Sequence, residues 1–234
     1  VALVTFYAYQ QVAEELVVER NLELARLSAS QLAGALDEYT AILSEWAQTS
    51  GTAARSPAAL ETALERARNR FVVFDGGVFV LDWRGVLVAA VPHRADLMGQ
   101  DWSERSFFRE AVHTRRPVLS GVVSDVPPAP DTGTAGATAA DAPLVIVAVP
   151  LLGGPADLQG VVTGGFRLGA EAISSFYGSI VKLHIGGNDS AYLVDGEGHV
   201  LYHDDPSQVG QDYRAQNAVQ QVLAGKTGAF RTQD

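Results

Sequence analysis

An internal repeat constrains the fold of this 234-residue chain more than any other feature. Segment 78–102, VFVLDWRGVLVAAVPHRADLMGQDW, is echoed by segment 191–213, AYLVDGEGHVLYHDDPSQVGQDY. Asp82 and Gly85 match Asp195 and Gly198 at an offset of 113. Beyond a two-residue deletion, Gly99, Gln100 and Asp101 match Gly210, Gln211 and Asp212 at an offset of 111, and Trp102 faces Tyr213. A helix expected over 107–114 corresponds to 218–225, and a strand at Val118 to one at Ala229. Hairpin, Gly-Gln-Asp-aromatic turn and helix recur in one order, which is the mark of a duplicated unit. The chain is therefore expected to hold two copies of one α+β module. The second copy stops roughly one strand past its helix, so it is expected to be incomplete.

Ahead of both copies lies a run built for one long helix. From about residue 13 to residue 46 there is no Pro and a single Gly, Gly34, among strong helix formers. Apolar residues alternate by four and three through Val18, Leu22, Ala25, Ala29, Leu32, Leu36, Tyr39, Leu43 and Trp46, the spacing of a coiled-coil seam. At 1.5 Å per residue such a helix reaches on the order of 50 Å, more than one small module needs. It is expected to span two stacked modules or to pair with its copy in a homodimer. Its charged residues, such as Glu15, Glu19, Arg20 and Glu23, fit a solvated face.

The rest of the first copy follows from local signals. SGTAARSP breaks the helix, and Ser56 before Pro57 marks the start of a second one over 57–70, with Arg66, Arg68 and Arg70 complementing its C-terminal dipole. Residues 78–81 and 86–91 are apolar and rich in β-branched valine, and are joined by Asp82-Trp83-Arg84-Gly85, a hairpin signature. Strands are expected at 117–123, 144–152 and 160–168, and a short helix at 170–177. Between them PPAPDTGTAGATAADAP, 127–143, lacks the apolar content to pack and is expected to be a loop.

Composition narrows the function classes. A formal charge of −10, with no basic run longer than Arg115-Arg116, excludes the clustered cations that nucleic acid or an anionic membrane surface would reward. Without cysteine there are no disulfides, thiolate metal sites or thiol nucleophiles. The opening VALVTFYAY is apolar but far shorter than the roughly 20 residues that span a bilayer. It fits either the cut end of a membrane anchor or an ordinary helix start.

In order, the long helix, FVLDWRGVLVAA, GQDWSERSFFREAVHTRRPVLSG, LVIVAVPLLGGPADLQGVVTGGFRL and the second AYLVDGEGHVLYHDDPSQVGQDY resemble the double Cache family. These are extracytoplasmic sensor domains of bacterial histidine kinases, chemoreceptors and diguanylate cyclases. The resemblance covers nearly the whole chain. It implies two PAS-like antiparallel sheets stacked on the long helix, divided as helix 1–56, membrane-distal ligand-binding module 57–178 and membrane-proximal module 179–234. It also implies that the opening segment is the trimmed end of a transmembrane helix, so that the full-length protein is membrane-anchored with its sensor outside the cytoplasm.

Family members that bind amino acids resemble one another in an Arg-x-Trp-Tyr pattern on the pocket helix and an aspartate on the last strand of the distal sheet. The matching segment here is Arg105-Ser106-Phe107-Phe108, and VVTGGFRL offers Gly165 where the aspartate is expected. The arginine can still grip a carboxylate. An ammonium group would lack its counter-charge, and burying it unpaired costs several kcal/mol. A small carboxylate or other anion is therefore the expected ligand, with Arg105 as anchor, Trp102, Phe107 and Phe108 as walls, and Ser120 on the following strand. Arg167, His93 and Arg94 are possible assistants, although each also fits a solvated surface charge. The second copy has Gln216, Ala218 and Val219 in place of Arg105, Phe107 and Phe108, so the first module alone carries the cation and its aromatic walls.

Enzymatic signatures are weak. No Gly-x-Ser-x-Gly elbow is present, and the glycine a phosphate loop needs before Gly225-Lys226-Thr227 is Gln220. His203-Asp204-Asp205 alternate in direction and fit a turn better than a metal site. No catalysis, cofactor or metal is expected. A second reading of the same fold is an amino-acid sensor. A third is a stalk that binds nothing and dimerises through its helix.

Overall fold

The computed structural model describes residues 2–51, 56–124, 126, 143–154, 157–168, 192–203 and 205–228. Helix α1 runs Ala2–Trp46 and ends in a π-helical turn, Ala47–Gly51. Helix α2, Pro57–Arg66, starts where Ser56 Oγ accepts the Ala59 N–H at 3.3 Å with Pro at its first position. It stops four residues short of the expected end and passes into a 3₁₀ turn, Arg68–Arg70. Arg68 pairs with Glu65 and Arg70 with Glu45 at the surface, so this cationic cluster is spent on its own neighbours.

Strands β1 (Gly77–Asp82), β2 (Leu87–Val91), β3 (Val118–Leu119), β4 (Leu144–Gly154) and β5 (Asp157–Arg167) form an antiparallel sheet in the order β2-β1-β5-β4-β3. Between β2 and β3 lies helix α3, Ser106–Thr114. Strand β3 is shorter than the sequence predicts because the chain leaves the sheet after Leu119; one further bridge, Val123 to Leu144, returns it. Strands β4 and β5 each exceed the expected length and pair as a hairpin.

Both faces of this sheet are covered, which explains why its strands are almost continuously apolar. Val78, Val80, Val145, Val147, Val162 and Phe166 pack against Tyr39, Leu43 and Trp46 of α1 and Leu64 of α2. Phe79, Leu81, Ile146, Ala148 and Val161 pack against Trp102 and against Phe107, Phe108 and Ala111 of α3. The Phe74 ring lies where a Cβ at Gly164 would fall, so a glycine is required at that point of VVTGGF.

The second copy contributes a hairpin, β6 (Tyr192–Val194) and β7 (Val200–His203), followed by a 3₁₀ turn Pro206–Gln208 and helix α4, Asn217–Leu223. Leu201 and Tyr202 of β7 join the apolar cluster that contains Tyr39 and the β4–β5 face, so this hairpin docks on α1 and the first module. The seam of α1 is thereby divided. Tyr39, Leu43 and Trp46 are buried within the chain, whereas Val18, Ala25 and Ala29 are exposed. The expected helix at 170–177, the loop at 127–142, the strand at Ala229 and the module boundary at 178/179 lie outside the described residues.

Candidate functional site

The turn that sets up α3 is built twice with the same bonds. Asp82 Oδ1 accepts the N–H groups of Arg84 and Val86, both at 2.9 Å, and Asp195 Oδ1 accepts those of Glu197 and His199 at 2.8 and 2.9 Å. Gly85 and Gly198 follow at φ +90° and +86°, where their carbonyls receive the N–H of Trp102 and Tyr213 at 2.8 and 2.9 Å. Gly99 and Gly210 donate to Leu87 and Val200, and Asp101 and Asp212 accept from the N–H two residues on. The helix that follows is entered through Arg105 in one copy and Gln216 in the other, each extended in backbone.

On this common frame the two copies present different side chains. Arg105 lays its guanidinium over the Trp102 ring, 4.4 Å from the centroid, a cation–π contact across the turn that precedes α3. Trp102 in turn meets Phe79 at 5.4 Å and Phe107 at 6.4 Å between centroids. Trp102, Phe107 and Phe108 are all buried in the apolar layer between α3 and the sheet, so they are packed wall rather than open lining beneath Arg105. In the second copy Tyr213 meets Tyr192 edge-on at 5.4 Å, both half-buried, and their hydroxyls bond Gln208 and Gln216.

The structure brings only some of the predicted residues together. Ser120 is buried and holds strand pairing: its Oγ donates to the Gly121 carbonyl at 2.6 Å and accepts the Ile146 N–H at 2.8 Å. His93 contacts the Glu61 carboxylate of α2 through Nδ1, on the sheet face opposite α3. Arg94 is buried and grips Asp96 through two bonds of 2.9 and 2.6 Å. Arg167 bonds Asp75 through its backbone N–H, at 2.9 Å to the carboxylate, and through Nε to the carbonyl. Burial pushes the Asp75 carboxyl above the usual range, against the pull of the Arg167 N–H and charge. Asp75 escaped sequence reasoning because it stands 92 residues from its partner with no motif around it. It adjoins Gly76, whose N–H bonds Gly165, and so supplies a carboxylate near the point where the strand itself has none.

A cavity of about 360 Å³ opens beside this region. Its walls come from α1, from α3 and the chain after β3, and from the turn of the β6–β7 hairpin; Phe107 and Ser120 are the two predicted residues that line it. Asp195 closes one side, its Oδ2 accepting the Val122 N–H at 3.1 Å. Among the described residues no cluster of three His, Asp or Glu is arranged to hold a metal ion.

The family model for the Cache domain, in its double form, matches residues 9–234. The chain belongs to the double Cache family. Solved structures agree in fold. The ligand-binding domain of the Pseudomonas aeruginosa PAO1 amino acid chemoreceptor PctB, in complex with L-Arg, superposes with a TM-score of 0.63 at 21% identity over 86% of this chain and 76% of that one. The ligand-binding domain of the Pseudomonas fluorescens chemoreceptor CtaA in complex with L-serine gives 0.61 at 19% identity, covering 87% of this chain and 78% of the other. Its L-isoleucine complex gives 0.63 at 16% identity over 89% and 77%. Among curated protein sequences none matches the chain. The long helix, the duplicated turn and the two-faced sheet of this double Cache domain are the expected α+β architecture. No helix among its described residues is long and apolar enough to cross a membrane.

Proposed function

We propose that this double Cache domain is the non-catalytic, extracytoplasmic ligand-sensing part of a membrane-anchored receptor, such as a chemoreceptor, histidine kinase or diguanylate cyclase. Its first module, 57–178, binds a small carboxylate, and α1 carries the resulting change towards the membrane. The observation that carries this reading is Arg105 held over Trp102 at the entrance to α3, a preset cation that the second copy lacks. A carboxylate gripped by a guanidinium makes two parallel charge-assisted bonds, and a guanidinium already stacked loses less freedom when it does so. The exposed part of the seam, Val18, Ala25 and Ala29, supports pairing of α1 with its copy in a homodimer. Family membership favours a sensor over a structural stalk.

A second reading, an α-amino acid, is favoured by the complexes in which its structural neighbours were solved and by Asp75 beside Gly165. A thermal-shift screen of small organic acids against amino acids separates the two. Stabilisation by mono- and dicarboxylates alone supports the first, and stabilisation confined to amino acids supports the second. In either case Arg105→Ala is expected to weaken binding roughly tenfold to a hundredfold, the loss of a charged hydrogen-bonding partner. Unchanged affinity would remove Arg105 from the site.

A further inference from the structure

We infer that the cavity between the two modules is a separate binding site for a small ammonium ligand with an apolar body. The cavity, about 360 Å³, falls within the size range of small-molecule pockets. Leu32 and Leu36 of α1 and Phe107 of α3 give it apolar walls, and its charged groups are Glu110, Asp195 and Glu197. None of its lining side chains is a Lys, Arg or His. The cavity makes the site; the carboxylates set the sign of what enters it. Glu110 and Glu197 are exposed at the rim, whereas Asp195 is buried with its carboxylate already engaged by backbone N–H groups; His199, outside the walls, has its Nδ1 3.4 Å from Asp195 Oδ2 and 3.9 Å from Glu197 Oε2. An anion brought among three carboxylates meets a repulsive field, a neutral body gains only the apolar contact, and an ammonium group gains both terms.

The site shares Phe107 and Ser120 with the residues expected around Arg105, but the Arg105 side chain is not among its walls. Its position gives it a consequence of its own. It is bounded by α1, by the first module and by the hairpin turn of the second, so an occupant touches all three and favours their docked arrangement.

Isothermal titration of the folded domain with phenethylammonium, 2-phenylethanol and 3-phenylpropionate tests this, since the three share a ring and differ in head-group charge. Phenethylammonium is expected to bind and to raise the melting temperature, with the alcohol and the acid at least several-fold weaker. The double variant Glu110→Gln, Glu197→Gln alters only exposed side chains and should weaken the ammonium about tenfold, the factor two rim ion pairs supply. Leu36→Trp, filling the cavity, should weaken it further in protein whose circular dichroism is unchanged. Arg105→Ala should leave ammonium binding intact while weakening carboxylate binding roughly tenfold to a hundredfold, which separates failure of this site from failure of the first-module site. Three results would overturn the inference: no heat with millimolar phenethylammonium, equal binding of the alcohol, or loss of ammonium binding in Arg105→Ala.

Discussion

Asp101 and Asp212 show how one turn position acquires different chemistry in the two copies. Each carboxylate accepts the N–H two residues on, and that bond to Ser103 is the main reason Asp101 lies below the ordinary aspartate range. Asp212 has Arg214 where Asp101 has Ser103, and the guanidinium bonds its carboxylate at 2.6 and 3.0 Å. The Arg214 side chain, then the Arg214 N–H, lower Asp212 to about 2. A carboxylate depressed in the folded state contributes stability that is complete above its unfolded value and is lost as pH falls towards about 2. Carbon-detected NMR titration of the carboxyl groups should therefore show Asp212 titrating below Asp101. Arg214→Gln should raise the Asp212 midpoint towards that of Asp101 and leave Asp101 unmoved. If Asp212 keeps its midpoint in that variant, the backbone bond alone sets it.

At the level of elements, α1 is two helices in energetic terms. Leu43 is fully buried against the sheet, and Leu43→Ala is expected to cost roughly 3–5 kcal/mol in urea unfolding, a transfer term plus a cavity term. Val18 is 45% exposed, and Val18→Ser should change monomer stability by no more than about 0.5 kcal/mol while lowering self-association in sedimentation velocity. The heptad spacing announced the whole seam, yet it could not say which half finds its partner within the chain. The same contrast runs through the other elements. The hairpins and the turn before α3 were legible because Asp-x-x-Gly and Gly-Gln-Asp encode bonds within a few residues. Burial of Phe107 and Phe108, the pairing of Arg167 with Asp75 and that of His93 with Glu61 were not, since each depends on which face an element turns to a distant one. The cavity was least legible of all. It exists only where three segments far apart in sequence converge.

For the molecule as a whole, the decisive contact is the one by which the second hairpin is bolted to the first module. Asp82 and Asp195 both spend Oδ1 on their own turns, but Asp195 is buried and turns its Oδ2 to the Val122 N–H of the first module, at 3.1 Å. That approach depends on Gly121. A Cβ there would stand 2.7 Å from Asp195 Oδ2, inside contact distance. The segment 120–122 thus does three things at once: Ser120 fixes it to β4, Gly121 admits the carboxylate, and Val122 donates the bond. This segment follows directly on α3 and β3, and through the Val122 bond it ties them to the second hairpin. Gly121→Ala should break the inter-module bond while leaving both Asp195 Oδ1 bonds in place. The expected cost is roughly 0.5–1.5 kcal/mol, that of one hydrogen bond to a carboxylate that keeps its His199 contact. Amide exchange should locate it: faster exchange in β6 and β7, with protection of the β1–β5–β4 core of the sheet unchanged. Uniform acceleration across both modules would show that they unfold as one unit. Unchanged exchange in the hairpin would show that the Leu201 and Tyr202 packing alone holds it, leaving the Asp195 contact without a role in coupling.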